Sequence, residues 1–230
     1  STEGTVTGNV TTLNTGGAKH ESLMMVGDTL YITDKDHARI VLLNSANSVS
    51  YIGTASAGHR DGNSSFSKFD SPSGMTYWHQ GNSIFVSDKD NHAIRKIQPQ
   101  DSGDYDVTSY ISNGNRYATG STSVAAVVFP GGLAFNKHEQ LIYLADSGSH
   151  SIRMIDVIND QVNLLAGQPR RPGRIDGAAT TTKFRNPEAI TIQLCCDVTR
   201  YVHTMDYYGS IRRIQIGSSS TTVTSLVGYS

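Results

Sequence analysis

Ser87-Asp-Lys-Asp-Asn-His-Ala-Ile-Arg-Lys-Ile97 returns, little changed, as Ala145-Asp-Ser-Gly-Ser-His-Ser-Ile-Arg-Met-Ile155. Each copy ends an apolar run on an aspartate, makes a short polar turn and opens a run in which apolar and polar residues alternate. Alternation with a period of two marks a β-strand. The stretch therefore reads as two antiparallel strands around a tight connection, the second with one buried and one wet face. An apolar strand precedes the pair, as Pro130–Phe135 precedes Gln140–Asp146, and a strand opening on valine follows it.

That valine strand recurs five times, as Val10–Leu13, Val49–Ile52, Val107–Tyr110, Val162–Leu165 and Val223–Leu226. New strands open at Leu23, Met75, Leu133 and Ile190, and the last three follow their valines by 26, 26 and 28 residues. Such regularity is an internal repeat, whose copies bury their apolar faces against one another. The expected fold is all-β, with four-stranded antiparallel meanders at about 19–53, 70–113, 129–167 and 187–228 in one domain spanning 1–230. The aspartates Asp34, Asp88, Asp146 and Asp206 close the second strand of each copy, where a carboxylate accepts turn amide hydrogens. Four copies need four valine strands, so the segment 8–14 with Val10 and Leu13 is surplus. It is expected to belong to a blade shared with a larger propeller or with another subunit, or to fold over a gap in the ring. A free strand edge is a pairing template that joins chains if nothing covers it.

The quoted segments resemble the NHL repeat, whose core reads as an Asp, a short turn, Asn-His and then Ile-Arg-x-Ile. The connections agree, Gly58-His-Arg-Asp-Gly62 leading to Phe69-Asp-Ser-Pro72, and Asp176-Gly177 leading to Phe184-Arg-Asn-Pro187. The match is weaker in copy one, where His37 sits a residue early, and in copy four, where Tyr208-Gly209 replace Asn-His. The resemblance implies a β-propeller, one blade per repeat, commonly with six blades. It also implies function in the loops at the ends of the ring, where protein or RNA partners are held.

The chain's 230 residues carry a formal net charge of -1, which disfavours RNA as the partner because nucleic-acid binders present a basic face. Arginines do cluster locally, at Arg170, Arg171 and Arg174, with Arg60 in the equivalent loop of another repeat, and at Arg212 and Arg213. No apolar run is long enough to span a bilayer and no signal-peptide pattern is present. The chain opens at Ser1, as a processed or excised product would.

Catalytic, metal and cofactor sites are not expected. His92 and His150 hold the repeated turn position and read as hydrogen-bonding groups between strands, while His20, His59, His79, His138 and His203 lack the paired spacing of a zinc site. Enzymes related to the family, an amidating lyase and lactonase-like hydrolases, hold a metal on the axis. The comparable positions here are Glu21, Ser73, Gly131 and Glu188, a poor ligand set. Cys195-Cys196 read as thiols on opposite strand faces, as a strained vicinal bridge or as links to another chain. Asn9-Val-Thr11 and Asn63-Ser-Ser65 are N-glycosylation sequons. With the Ser, Thr, Gly and Tyr content they suggest an extracellular module. The aromatics Trp78, Tyr117 and Tyr208 fit an interface or blade packing equally. The expected function is a noncatalytic protein-interaction scaffold whose partners are other proteins or identical subunits. The alternatives are a subunit of an extracellular assembly joined by the surplus strand, and an enzyme with an axial metal site.

Overall fold

The computed structural model describes residues 18–195 and 198–228. Asn9, Val10, Leu13 and Cys196 lie outside the described residues, and with them the surplus strand. Four antiparallel sheets form the four blades. Blade 1 is a plain meander of β1 (Leu23–Val26), β2 (Thr29–Asp34), β3 (Arg39–Leu43) and β4 (Val49–Ile52). Each later blade gains a fifth, two-residue strand at its outer edge, taken from the loop that leads into it. Blade 2 comprises β5 (Gly62–Asn63), β6 (Pro72–Trp78), β7 (Ser83–Asp88), β8 (Ala93–Pro99) and β9 (Tyr105–Ile111), with Gly62 opposite Val107. Blade 3 comprises β10 (Gly120–Ser121), β11 (Pro130–Asn136), β12 (Leu141–Asp146), β13 (Ser151–Asp156) and β14 (Gln161–Ala166). Blade 4 comprises β15 (Gly177–Ala178), β16 (Pro187–Cys195), β17 (Val198–Asp206), β18 (Ile211–Ile216) and β19 (Thr221–Val227).

Three apolar layers hold neighbouring blades together. Ile40, Ile52, Met75, Val86 and Ile97 fill the first, Phe85, Ile94, Leu133, Ile142 and Ile155 the second, and Tyr143, Ile152, Phe184, Val202 and Ile214 the third. Polar bonds cross the same seams, from the Tyr31–Tyr105 hydroxyl pair at 2.8 Å to Trp78 Nε1 donating to Gln140 at 2.7 Å. Trp78 thus belongs to blade packing. At the axis the inner strands meet backbone to backbone: a Cβ on Gly74 would lie 2.5 Å from the Gly131 carbonyl oxygen, and one on Gly131 2.7 Å from that of Glu188. Only glycine permits that approach.

The expectation of a wet face on the third strand of each repeat fails where it matters most. Arg95, Arg153 and Arg212 occupy the polar alternation, and all three are fully buried. A propeller blade is covered on both sides, so a polar residue in the pattern faces a neighbouring loop and not solvent.

Strand packing joins blade 1 to 2, 2 to 3 and 3 to 4; among the described residues no strands of blades 4 and 1 pack comparably. The face of blade 1 turned away from blade 2 carries two apolar cross-strand rows, Leu23-Ile32-Val41-Tyr51 and Met25-Leu30-Leu43-Val49, in which Ile32 and Val41 are buried. Leu23 and Met25 at one edge and Val49 and Tyr51 at the other are exposed.

Candidate interaction surface

One end of the propeller gathers the β2–β3, β7–β8, β12–β13 and β17–β18 turns and the long loops that lead into blades 2, 3 and 4. Those loops are held by the buried arginines. Each long loop closes on itself through one β-bridge, Arg60 with Lys68, Ala118 with Ala126, and Ile175 with Lys183. A single guanidinium donates to both carbonyls of each bridge: Arg95 to Lys68 and Arg60 at 2.8 and 3.0 Å, Arg153 to Ala126 and Ala118 at 3.0 and 2.6 Å, Arg212 to Lys183 and Ile175 at 3.0 Å each.

Carboxylates balance the buried charge. Arg95 pairs with Asp88 at 2.8 Å and Asp61 at 2.6 Å, and Arg212 with Asp176 at 2.6 Å and Asp206 at 3.7 Å. Asp61 and Asp176 each accept a further backbone bond, from the Ser109 and Ser225 amides. Blade 3 has Thr119 where its neighbours have an aspartate, and Arg153 keeps Asp146 at 3.1 Å with the Tyr117 ring 4.6 Å from its guanidinium carbon. Blade 1 has Val41 in place of the arginine, and Asp34 turns to Arg39 and to the ring and amide of His37.

The repeat aspartates therefore divide. Asp34 accepts a turn amide, whereas Asp88, Asp146 and Asp206 accept the amides of Asp70, Val128 and Arg185 from the incoming loop. Asp206 has the longest ion pair of the three and a buried oxygen, Oδ1, without a hydrogen-bond partner. Burial pushes its pKa up to about 6, against the partial relief of the Arg185 amide and Arg212.

His92 and His150 sit in left-handed backbone at φ 51° and 56°, as the equivalent Ala38 and Gly209 do. Their Nδ1 atoms accept the amides of Phe129 and Asn186 at 3.1 and 3.2 Å. The bonds run from one blade to the loop that opens the next, joining blades and not the strands of one blade. Burial lowers the pKa of both imidazoles.

The axial mouth, a hollow of about 470 Å³, is lined by all four residues that the repeat places there, Glu21, Ser73, Gly131 and Glu188, with Lys89. Its carboxylates are paired, Glu21 with Lys35 at 2.8 Å and Glu188 with Lys89 at 3.3 Å. The hydrogen bond to Glu21 raises the Lys35 pKa. Ser73 Oγ donates to the Pro130 carbonyl at 3.2 Å. Among the described residues, no three His, Cys, Asp or Glu side chains converge as a metal site.

Around the mouth, acids and lysines alternate on blades 1 and 2, with Lys35 and Lys89 among them, whereas the loop into blade 4 carries a run of arginines. Glu21, Asp36 and Asp90 are exposed on blades 1 and 2, and Asp70 is half-buried beside Asp90. Desolvation and then the Asp90 charge raise the Asp70 pKa. On blade 4, Arg170, Arg171, Arg174 and Arg185 are exposed. Tyr208 is 52% exposed, with the Arg185 and Arg174 guanidinium carbons 4.7 and 5.4 Å from its ring centroid. Tyr207, 65% exposed, meets Tyr208 edge to face at 5.3 Å. Arg60 instead lies on the Phe66 ring at 3.6 Å and donates to the Phe66 carbonyl.

Asn63 is exposed on β5, its side-chain oxygen accepting from Ser65 Oγ at 3.2 Å. Cys195 is exposed at the end of β16. Among the described residues, no helix is long and apolar enough to cross a membrane.

Comparison with known proteins places this geometry. No family model matches the chain. Human NHL repeat-containing protein 2 is 29% identical over 110 residues, 47% of this chain and 15% of that protein. A Bacteroides thetaiotaomicron structure described as of unknown function superposes with a TM-score of 0.63 at 18% identity, over 86% of this chain and 45% of the other. The virginiamycin B lyase of Staphylococcus aureus superposes with a TM-score of 0.60 at 15% identity, over 95% of this chain and 58% of the lyase. The chain thus spans a small part of the curated relative and about half of these structures.

Proposed function

Since the chain is a propeller of the NHL-repeat type, we propose that it acts as a noncatalytic protein-interaction scaffold through the loops at one end of the ring. The observation that carries this reading is the arginine clamp: Arg95, Arg153 and Arg212 each fix both sides of a long loop, so the end surface is rigid before any partner arrives. A preorganised surface loses little entropy on binding. At the axis the glutamates are engaged by lysines, Glu21 by Lys35 and Glu188 by Lys89. The exposed sequon at Asn63 favours an extracellular setting.

A second reading, a subunit of an extracellular assembly, is favoured by the exposed apolar edges of blade 1 at Leu23, Met25, Val49 and Tyr51. Such edges suit burial against a further blade or chain.

Partner retention from a native extract separates the scaffold from an axial enzyme. Retention is expected to fall when the end loops carry Tyr207→Ala and Tyr208→Ala and to persist in Ser73→Ala/Glu188→Gln. The reverse pattern, or turnover of a lactone or ester that the axial substitutions abolish, would contradict the proposal.

A further inference from the structure

We infer that the blade 4 quarter of this end is a docking site for an acidic peptide segment of a protein partner, an inference that rests on the scaffold reading and names the chemistry of its partner. The arginines are brought together by backbone bonds. The Arg170 amide donates to Ser149 at 2.9 Å and the Gly173 amide to Phe184 at 3.0 Å, which lays the 170–174 segment along Phe184 to Asn186. Arg185 then stacks on Tyr208 from this strip, with Arg174 on the same ring. Stacking leaves the edge N–H groups of a guanidinium directed outward for bidentate recognition of a carboxylate. Exposed tyrosines flanked by arginines have the composition of interface hot spots.

The rest of the surface selects among anions. A nucleic-acid strand crossing the end would run from these arginines onto a surface of mixed charge, where Glu21, Asp36 and Asp90 lie among Lys35 and Lys89 and no continuous basic track follows its phosphates. A peptide whose acidic residues are confined to one segment engages the basic quarter alone and needs no such track.

The test is fluorescence anisotropy of the full chain with a labelled oligoglutamate peptide, an oligoglutamine control and an oligothymidylate. Binding of oligoglutamate alone, weakening with salt and reduced at least about tenfold by Arg171→Glu/Arg185→Glu, is expected. Salt-independent binding, tighter binding of oligothymidylate, or an affinity unchanged in the variant would overturn the inference. Hydrogen exchange on the unmodified chain gives a variant-free check, with peptide-dependent protection expected at residues 207–210 and its absence contradicting the site. Loss of peptide binding with partner retention through Tyr207 and Tyr208 intact would defeat this inference and leave the scaffold reading standing.

Discussion

His150 Nδ1 accepts the backbone N–H of Asn186 across the seam between blades 3 and 4, at 3.2 Å, and His92 repeats the bond to Phe129 across the preceding seam. An accepting Nδ1 requires a neutral ring with its proton on Nε2. The histidine of the repeat is thus a blade-to-blade tie, and its protonation state is coupled to the joining of the ring.

Acid should therefore loosen the seams. Burial lowers the pKa of His92, His150 and His203, so the unfolded chain takes up their protons first. Their contribution to stability is complete above the unfolded value of about 6.5 and is lost as the pH falls through the folded values. Chemical denaturation across this range is expected to show the decline, and its size should shrink in His92→Asn/His150→Asn. Asparagine suits left-handed backbone and does not titrate there. A pH dependence unchanged in that variant would remove the histidines from the account.

Asp206 has the opposite sign. With its folded pKa raised to about 6, its contribution is fully present below the unfolded value near 3.9 and is lost as the pH rises through 6. Asp206→Asn is expected to be better tolerated at pH 7 than Asp88→Asn, because Asp88 accepts at 2.8 Å from Arg95 and Asp206 lies 3.7 Å from Arg212. Equal losses in the two variants would refute this.

Removing an arginine clamp should cost more than any surface change. Arg153→Met leaves Asp146 buried without its ion pair and frees the Ala118 and Ala126 carbonyls, a loss of about 3–5 kcal/mol. Tyr117→Leu removes only the ring beneath the guanidinium, a loss of about 1–2 kcal/mol. Urea denaturation orders the two, and a loss for Arg153→Met below that for Tyr117→Leu would contradict the clamp.

The axial glycines make a steric prediction. Gly74→Ala would place a methyl 2.5 Å from the Gly131 carbonyl oxygen, forcing inner strands apart at a cost of about 1–3 kcal/mol or more. Gly103→Ala meets no atom and pays only for its positive φ of 83°. Thermal melts of the two separate contact from conformation.

The order of the strands was legible in the sequence because Asp, a short turn and Ile-Arg-x-Ile repeat with the period of a meander. The burial of Arg95, Arg153 and Arg212 was not, because alternation distinguishes two faces but not whether the polar one meets water or another blade's loop. The two-residue edge strands escaped notice for a related reason: Gly62, Gly120 and Gly177 pair with valines far along the chain and carry no strand pattern of their own. The basic quarter was half visible. Arg170, Arg171 and Arg174 are neighbours in sequence, but Arg185 and Tyr208 join them only through the return of the chain into blade 4.

Hydrogen exchange of the full chain, alone and saturated with a captured partner, tests the scaffold most directly. Protection confined to the end turns at 35–38, 89–92, 147–150 and 207–210 and to the 167–186 loop is the predicted footprint. Protection confined to the inner strands around Ser73, Gly131 and Glu188, with the turns unchanged, would place the activity on the axis and contradict the account.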